Sequence, residues 1–368
     1  LQTRKQISPI LIVALALLLL PSVLIAQQSG RVYEFLGLPF SARITALGGY
    51  AVPTGDADLE TALAFPSLLR PEVSNMLSLN FADYFSDINF GTLAYARSFE
   101  GLGTFSASMH FIDYGTFTET DEVGQIFGDF TASEYSLMIG WGRPLSEYFS
   151  IGSNLKLVYS QLFEYYSAGV AVDVSLTYYN PNTRFAAGLV ARNAGRQLIH
   201  FRENNREALP FDLVLGISQR LARAPLRFSV VAHNLHNFGL TYDAPDETNN
   251  QNILAAPTEL TPGQRVSEFA DKVLRHIVIG AEFLPSRNFS LHFGYNYRRR
   301  QELQVESRIS TVGFSWGFGV RISRFRFSYG RATYHLAGAP NHITISTRMD
   351  ELFGTRSPAT RNLRHDEN

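Results

Sequence analysis

From Val312 to Ile322 the chain alternates without a fault. Val312, Phe314, Trp316, Phe318, Val320 and Ile322 fall on one side, and Gly313, Ser315, Gly317, Gly319 and Arg321 on the other. Successive side chains of a strand point to opposite faces, so this run has one greasy face and one small or polar face. After Ser323-Arg324 the pattern returns, with Phe325, Phe327 and Tyr329 against Arg326, Ser328 and Gly330. A soluble sheet covers its greasy face with a second layer, and no helix-period segment lies nearby to supply one. Hydrocarbon does the covering in a transmembrane barrel.

The same alternation recurs from Met76 onward. Phe105, Ala107, Met109 and Phe111 oppose Ser106, Ser108 and His110, and Ile151 to Tyr159 alternates with Gly152, Asn154 and Lys156. Leu226, Phe228 and Val230 oppose Arg227 and Ser229, and Phe289 to Tyr297 alternates with Ser290, His292 and Asn296. Such runs predict an all-β fold: a transmembrane antiparallel β-barrel of about 14 strands over residues 76–350, with an even strand count as single-chain outer-membrane barrels have. Connection lengths agree. Glu100–Leu102, Ser146–Tyr148, Asn180–Thr183, Leu221–Pro225, Pro285–Arg287 and Ser323-Arg324 are short. Gly115–Phe130, Gly195–Pro210 and Asn237–Asp271 read as long loops. Short periplasmic turns and longer outer loops are the outer-membrane pattern, which places the chain in the outer membrane with its long loops facing the cell exterior. Tyr114, Tyr159, Tyr178, Tyr179, Tyr295 and Tyr297 fall near predicted strand ends, at the level of aromatic belts.

The N-terminus predicts export. Arg4 and Lys5 precede the apolar run Ile10–Leu20, and Ala26 stands before Gln27-Gln28. This reads as a signal peptide over residues 1–26, the alternative being an uncleaved anchor. Residues 27–75 carry turns (Gly48-Gly49, Gly55-Asp56) and a short helical spacing at Leu59, Ala62 and Leu63 before Pro66. They are expected to plug the barrel, or else to lie outside it as an arm; an unplugged barrel of this size holds a water channel. Residues 351–368 read as a polar C-terminal tail. The net charge of −1 gives no reason to expect nucleic acid, and the absence of Cys removes disulfides and thiolate metal sites.

Little in the sequence suggests catalysis. Gly313-Phe314-Ser315-Trp316-Gly317 matches a hydrolase elbow, but Ser315 falls mid-strand with no helix after it, and the glycines are expected to make room for neighbours. His110, His233 and His292 fall on the polar faces of three strands and are read as lumen lining, not a metal site. Asp56 and Asp58 beside Gly55 are read as turn formers. No catalytic, cofactor or metal residue is assigned, and the chain is not expected to be an enzyme. The candidate partner-binding residues are Asp243, Asp246 and Glu247 in the long Asn237–Asp271 loop, the alternative being a disordered spacer, and Arg298, Arg299 and Arg300, which open another outer loop and are read either as contacting anionic lipid or lipopolysaccharide or as a solvated charge run.

Several unusual segments carry a resemblance. They are Phe35–Pro39 with Ser41-Ala42-Arg43 and Leu47-Gly48-Gly49, then Asp83–Asn89, Asp271–His276, Tyr295–Leu303 and Tyr329–Gly338. Together, from about Tyr33 to Thr347, the chain resembles the outer-membrane barrels of the type IX protein secretion system, the PorV group, which is related more distantly to the fatty-acid transporter FadL. That resemblance implies a FadL-like barrel of fourteen strands with an N-terminal hatch. It further implies a non-enzymatic scaffold for the cell-surface attachment complex, with PorZ, PorU and PorV-type components as partners. The alternative is a FadL-like transporter of an apolar ligand. Phe65-Pro66-Ser67 stands where FadL relatives often show Asn-Pro-Ala, a departure that weakens the transfer of a fatty-acid pathway.

Overall fold

The computed structural model describes residues 31–84, 87–121, 123–202, 206–240, 262–303, 311–333 and 338–353. The expected signal peptide, most of the C-terminal tail, and Asp243, Asp246 and Glu247 lie outside the described residues. Fourteen antiparallel strands form a closed barrel. They are β1 (Met76–Asp83), β2 (Asn89–Phe99), β3 (Gly103–Thr120), β4 (Ile126–Pro144), β5 (Phe149–Leu162), β6 (Tyr165–Asn180) and β7 (Phe185–Ile199). The second half comprises β8 (Asp212–Arg220), β9 (Leu226–Ala232), β10 (Ile277–Phe283), β11 (Phe289–Asn296), β12 (Phe314–Ile322), β13 (Phe325–Ala332) and β14 (Asn341–Arg348). Each strand pairs with its sequence neighbours, and β1 pairs with β14 from Met76↔Arg348 to Asp83↔Asn341. That last ladder closes the ring and removes the free edges that hydrocarbon does not tolerate.

The faces are inverted relative to a soluble protein. Leu79, Ile139, Phe293 and Trp316 point outward, 49%, 51%, 53% and 47% exposed. Ser136, Ser160, Lys156, Asp173 and His342 point inward and are fully buried. An apolar exterior around a polar interior is the arrangement of a membrane-spanning barrel. The six short turns lie at one end, as expected, and both barrel termini come to that same end through Met76↔Arg348.

Some connections depart from the sequence reading. Gly115–Phe130 is not a long loop: β3 and β4 run on as a hairpin to Thr120↔Ile126. Threonine and phenylalanine favour strands, and Phe117 stacks on Phe130 with ring centroids 5.3 Å apart. Gly115 (φ 79°) marks a bulge in this ladder, not a strand end. The Asn237–Asp271 connection runs into α3 (Pro262–Leu274), whose Pro262 opens the helix. Arg298, Arg299 and Arg300 lie on a short helix, α4 (Tyr297–Leu303), and the C-terminal segment starts with α5 (Met349–Phe353). Of the six tyrosines, Tyr179 and Tyr114 face the lumen, the first under Arg70 and the second donating to the buried Glu134 at 2.6 Å.

Residues 31–75 fill the lumen. They contain α1 (Ala42–Ala46), α2 (Leu59–Ala64) and single 3₁₀ turns at Glu34–Gly37, Pro66–Leu68 and Pro71–Val73. Ser41 caps α1, its hydroxyl accepting from the Ile44 amide at 3.3 Å, and Asp58 caps α2, accepting from the Glu60 and Thr61 amides. Helices of five and six residues do not hold themselves together in water, so the barrel wall supplies their stability. Leu59, Leu63, Phe65 and Leu69 are sequestered there against Met138, Val190 and Val214 of the wall. Arginine at the lipid face should be costly. Ile139→Arg on β4 is expected to lower unfolding stability in lipid vesicles by about 2–4 kcal/mol. Urea titration in vesicles measures this, and a loss below ~1 kcal/mol would place Ile139 away from the hydrocarbon.

Candidate functional site

The lumen face of each strand is polar because its other face meets lipid. A polar lumen in turn demands polar partners from whatever fills it. The plug meets this demand with one arginine. Arg43 on α1 donates through Nε to Glu282 Oε1 at 2.8 Å and through Nη2 to Glu282 Oε2 at 3.0 Å, and it also bonds Asp58. Glu282, on β10, takes a second guanidinium from Arg227 on β9 at 2.9 Å. Arg227 then returns to the plug and grips Asp56 through two bonds of 2.6 and 2.8 Å. Two arginines and two carboxylates thus lace plug to wall twice, and His292 of β11 stands 3.0 Å from Glu282. Planar guanidinium forks suit such paired carboxylate contacts better than lysine.

Protonation on the plug follows from this packing. Burial works against ionised Asp56, but Arg227 and Arg43 hold its carboxyl below the usual range. Burial likewise opposes ionised Asp58, which a hydrogen bond from Glu60 and the charge of Arg43 keep well below that range. Glu60 moves the other way: burial and then the adjacent Asp58 carboxylate push it up to about 8. At neutral pH Glu60 is therefore neutral, and it bonds Ser78 of β1. Asp56 and Asp58 do more than form a turn: Asp58 caps α2 and pairs with Arg43, and Asp56, in the bend beside Gly55, pairs with Arg227, which the wall brings to it.

A second anchor sits where the wall bends. Asn193 on β7 has φ 55°, and two residues of β7 oppose Asp173 of β6. Asp173 accepts from the Asn193 amide at 2.8 Å and from Asn154 at 3.0 Å, and pairs with Lys156 at 2.8 Å. Lys156 also donates to Asn193 Oδ1 at 2.7 Å, so the buried pair pins the bulge. Beyond it the wall parts. The β7–β8 ladder stops at Arg192↔Asp212, while β7 continues to Ile199 along β6 only. Residues 207–211 and the start of the plug occupy the interval, with the Val32 amide bonded to Ala208 O at 3.1 Å.

The remaining candidates resolve individually. Ser315 donates to Ala46 O at 2.8 Å, and Gly317 faces the Ala46 methyl, so this stretch seats α1. A Cβ on Gly330 would collide with the Ala42 carbonyl, and one on Gly152 with the Pro66 backbone. His110 lies against Phe40, His233 stacks on Tyr50 at 4.3 Å and His292 faces Glu282, so the three are not gathered at one point. Among the described residues no group of acidic residues and histidines is arranged to hold a metal ion. Arg298 pairs with Glu302 on the α4 surface, Arg299 donates to Gly48 O at 3.3 Å, and Arg300 reaches Val312 O. Sequence reasoning missed Arg43, Arg227 and Glu282 as a unit. For Arg227 and Glu282 the signal was charge at lumen-facing strand positions; Arg43, on the plug helix, carried no such signal.

No protein-family model matches the chain, and no curated protein matches it in sequence. Solved structures similar to it include the toluene transporter TbuX of Ralstonia pickettii, 11% identical, with a TM-score of 0.49 over 85% of this chain and 99% of that one. The toluene transporter TodX of Pseudomonas putida is 12% identical, with a TM-score of 0.46 over 84% and 96%. A FadL homologue of Pseudomonas aeruginosa is 8% identical, with a TM-score of 0.46 over 84% and 98%.

Two outcomes follow for the plug. Glu282→Ala leaves two buried guanidiniums without their shared carboxylate and should cost about 3–5 kcal/mol of plug docking. Planar-bilayer recording should then show ion conductance that the parent barrel lacks, and a silent variant would mean the network does not hold the plug. Glu60 binds a proton on folding between its ordinary 4.5 and about 8. Its contribution to stability therefore falls as pH rises through that window and is flat above it. Glu60→Gln should flatten the profile and raise stability above pH 8 by on the order of a few kcal/mol, as read by thermal unfolding across pH.

Proposed function

We propose that this chain is a sealed, non-enzymatic outer-membrane barrel that scaffolds the surface attachment complex of the type IX secretion system, a PorQ-type component. The observation that carries the proposal is the plug: its backbone lies against wall glycines and its charges are laced to Glu282 and Arg227, so the lumen is filled by built-in structure. A barrel plugged in this way offers protein partners its outer loops. The resemblance of Phe35–Pro39, Tyr295–Leu303 and Tyr329–Gly338 to type IX barrels supports this reading and makes PorZ, PorU and PorV-type proteins the expected partners. The docking element we propose is α3, which leaves Val266 and Phe269 exposed one turn apart at 69% and 68%. Asp243, Asp246 and Glu247 belong to the same connection. Arg298 stands on the surface of α4 for anionic lipid or lipopolysaccharide.

Passage of an apolar ligand, the activity named for the toluene transporters, is the second reading. The observation favouring it is the parting of the wall between β7 and β8 above Arg192↔Asp212. Crosslinking in intact outer membranes followed by co-purification separates the two. The scaffold reading expects secretion-system proteins with the parent chain and at least a tenfold loss with Val266→Asp/Phe269→Asp, about the effect of removing one apolar anchor. Recovery of no such partner, together with plug-dependent uptake of an apolar dye into vesicles, would favour transport.

A further inference from the structure

At the short-turn mouth of the barrel, two adjoining cavities of about 540 and 330 Å³ share Asp56, Arg220 and Arg287 in their walls. Their chemistry is lopsided. The two acidic residues that line them, Asp56 and Glu282, are already held by Arg43 and Arg227. Five further arginines face the same space: Arg184, Arg220, Arg287, Arg321 and Arg326. They arrive from four places on the rim, namely the β6–β7 turn, the end of β8, the β10–β11 turn and the β12–β13 hairpin. Arg321 reaches Glu351 of α5 at 3.4 Å, whereas Arg184, Arg220 and Arg326 make no ion pair among the described residues.

Like charges gathered from separate strands repel one another; Arg321 is offset by Glu351, and the charge of Arg326 reaches the buried Asp58 carboxylate. Inside a mouth with low-dielectric walls their field is focused instead of dissipated. Guanidinium forks bind phosphate and carboxylate oxygens in pairs, and each such bond is about twice as strong as a neutral one. The plug supplies the floor, because Arg43, Asp56 and Ala57 line the larger cavity from within. Ser286, Asn288 and Ser290 add neutral polar groups at its side. A volume of about 540 Å³ suits a small molecule and not a folded partner.

We infer that this mouth is a binding site for a small, multiply charged anion bearing phosphate or carboxylate groups, held by Arg220, Arg287 and Arg326. The site is independent of the scaffold role, since it faces away from α3 and the long loops.

Isothermal titration of the intact, detergent-solubilised barrel tests it, with inorganic pyrophosphate in one arm and tricarballylate in the other. Salt of about 0.15 M screens diffuse attraction beyond roughly 8 Å. One saturable site is expected. Tighter binding of pyrophosphate would identify phosphate as the preferred chemistry, and tighter binding of tricarballylate would identify carboxylate. Arg220→Ala/Arg326→Ala should weaken binding about tenfold or more, and Arg220→Lys/Arg326→Lys by less, because charge remains and the fork is lost. Heat-dependent gel mobility of both variants should match the parent, showing that the barrel is intact. Arg202→Ala, beside Tyr165 at the opposite end, should leave binding unchanged. No saturable heat with either anion, unchanged affinity in the double alanine variant, or equal weakening by Arg202→Ala would overturn the site.

Discussion

Every backbone amide and carbonyl that meets hydrocarbon has to be satisfied by the chain itself. The β1–β14 ladder meets that requirement, because without it two strand edges would face lipid. Closure has a consequence inside. Once the greasy residues are committed outward, the pleat sends Ser136, Lys156, Asp173 and His342 inward. The interior of this protein is therefore the polar face of its own sheet, and it needs polar contents. A plug with an arginine, two aspartates and a neutral glutamate meets that need better than an apolar core.

The plug is held by charge and by shape together. Burying Arg43, Arg227 and Glu282 costs desolvation, and a well-packed apolar contact of the same size would be at least as stable. What the network adds is position: Asp56 and Arg43 reach Arg227 and Glu282 only when α1 and the Gly55 turn sit at one height in the barrel. The glycines act in the same direction, since Gly330 and Gly152 admit the plug backbone at distances no other residue allows. Lys156 and Asp173 serve the wall as Arg43 and Glu282 serve the plug. They fix the bulge at Asn193, beyond which β7 leaves β8.

Strand faces were legible within the strands, though Val312, grouped with the outer face by alternation, is buried ahead of the strand because Gly313 (φ 85°) breaks the extended run. The alternation of Phe314, Trp316 and Phe318 with Ser315, Gly317 and Gly319 names the outer and inner sides by periodicity alone, and Trp316 and Ser315 lie where that parity puts them. The short turns were legible too, since two greasy runs so close together leave room for nothing longer. The Gly115–Phe130 connection was not. Gly115, Gly124 and Gly128 look like strand breakers in sequence, yet Gly115 takes a bulge and the threonines around it stay paired. Helix α3 was hidden by the prolines that precede it, one of which opens it.

Local periodicity thus determined the fold class, the strand count, the faces of the strands and the grouping of the short turns at one end. A period of two belongs to the chain itself and needs no knowledge of neighbours. The candidate site is of another kind. Arg43 and Glu282 stand 239 residues apart, and Arg227 and Asp56 stand 171 apart. Spacing along the chain does not relate them; they meet because the barrel closes and the plug turns back into it. For the same reason five arginines that read as separate turn and strand-end charges become one rim. Only tertiary structure decided which charges would meet a partner on the plug and which would gather at the mouth. Electrostatic energy depends on distance through space, and closure sets that distance.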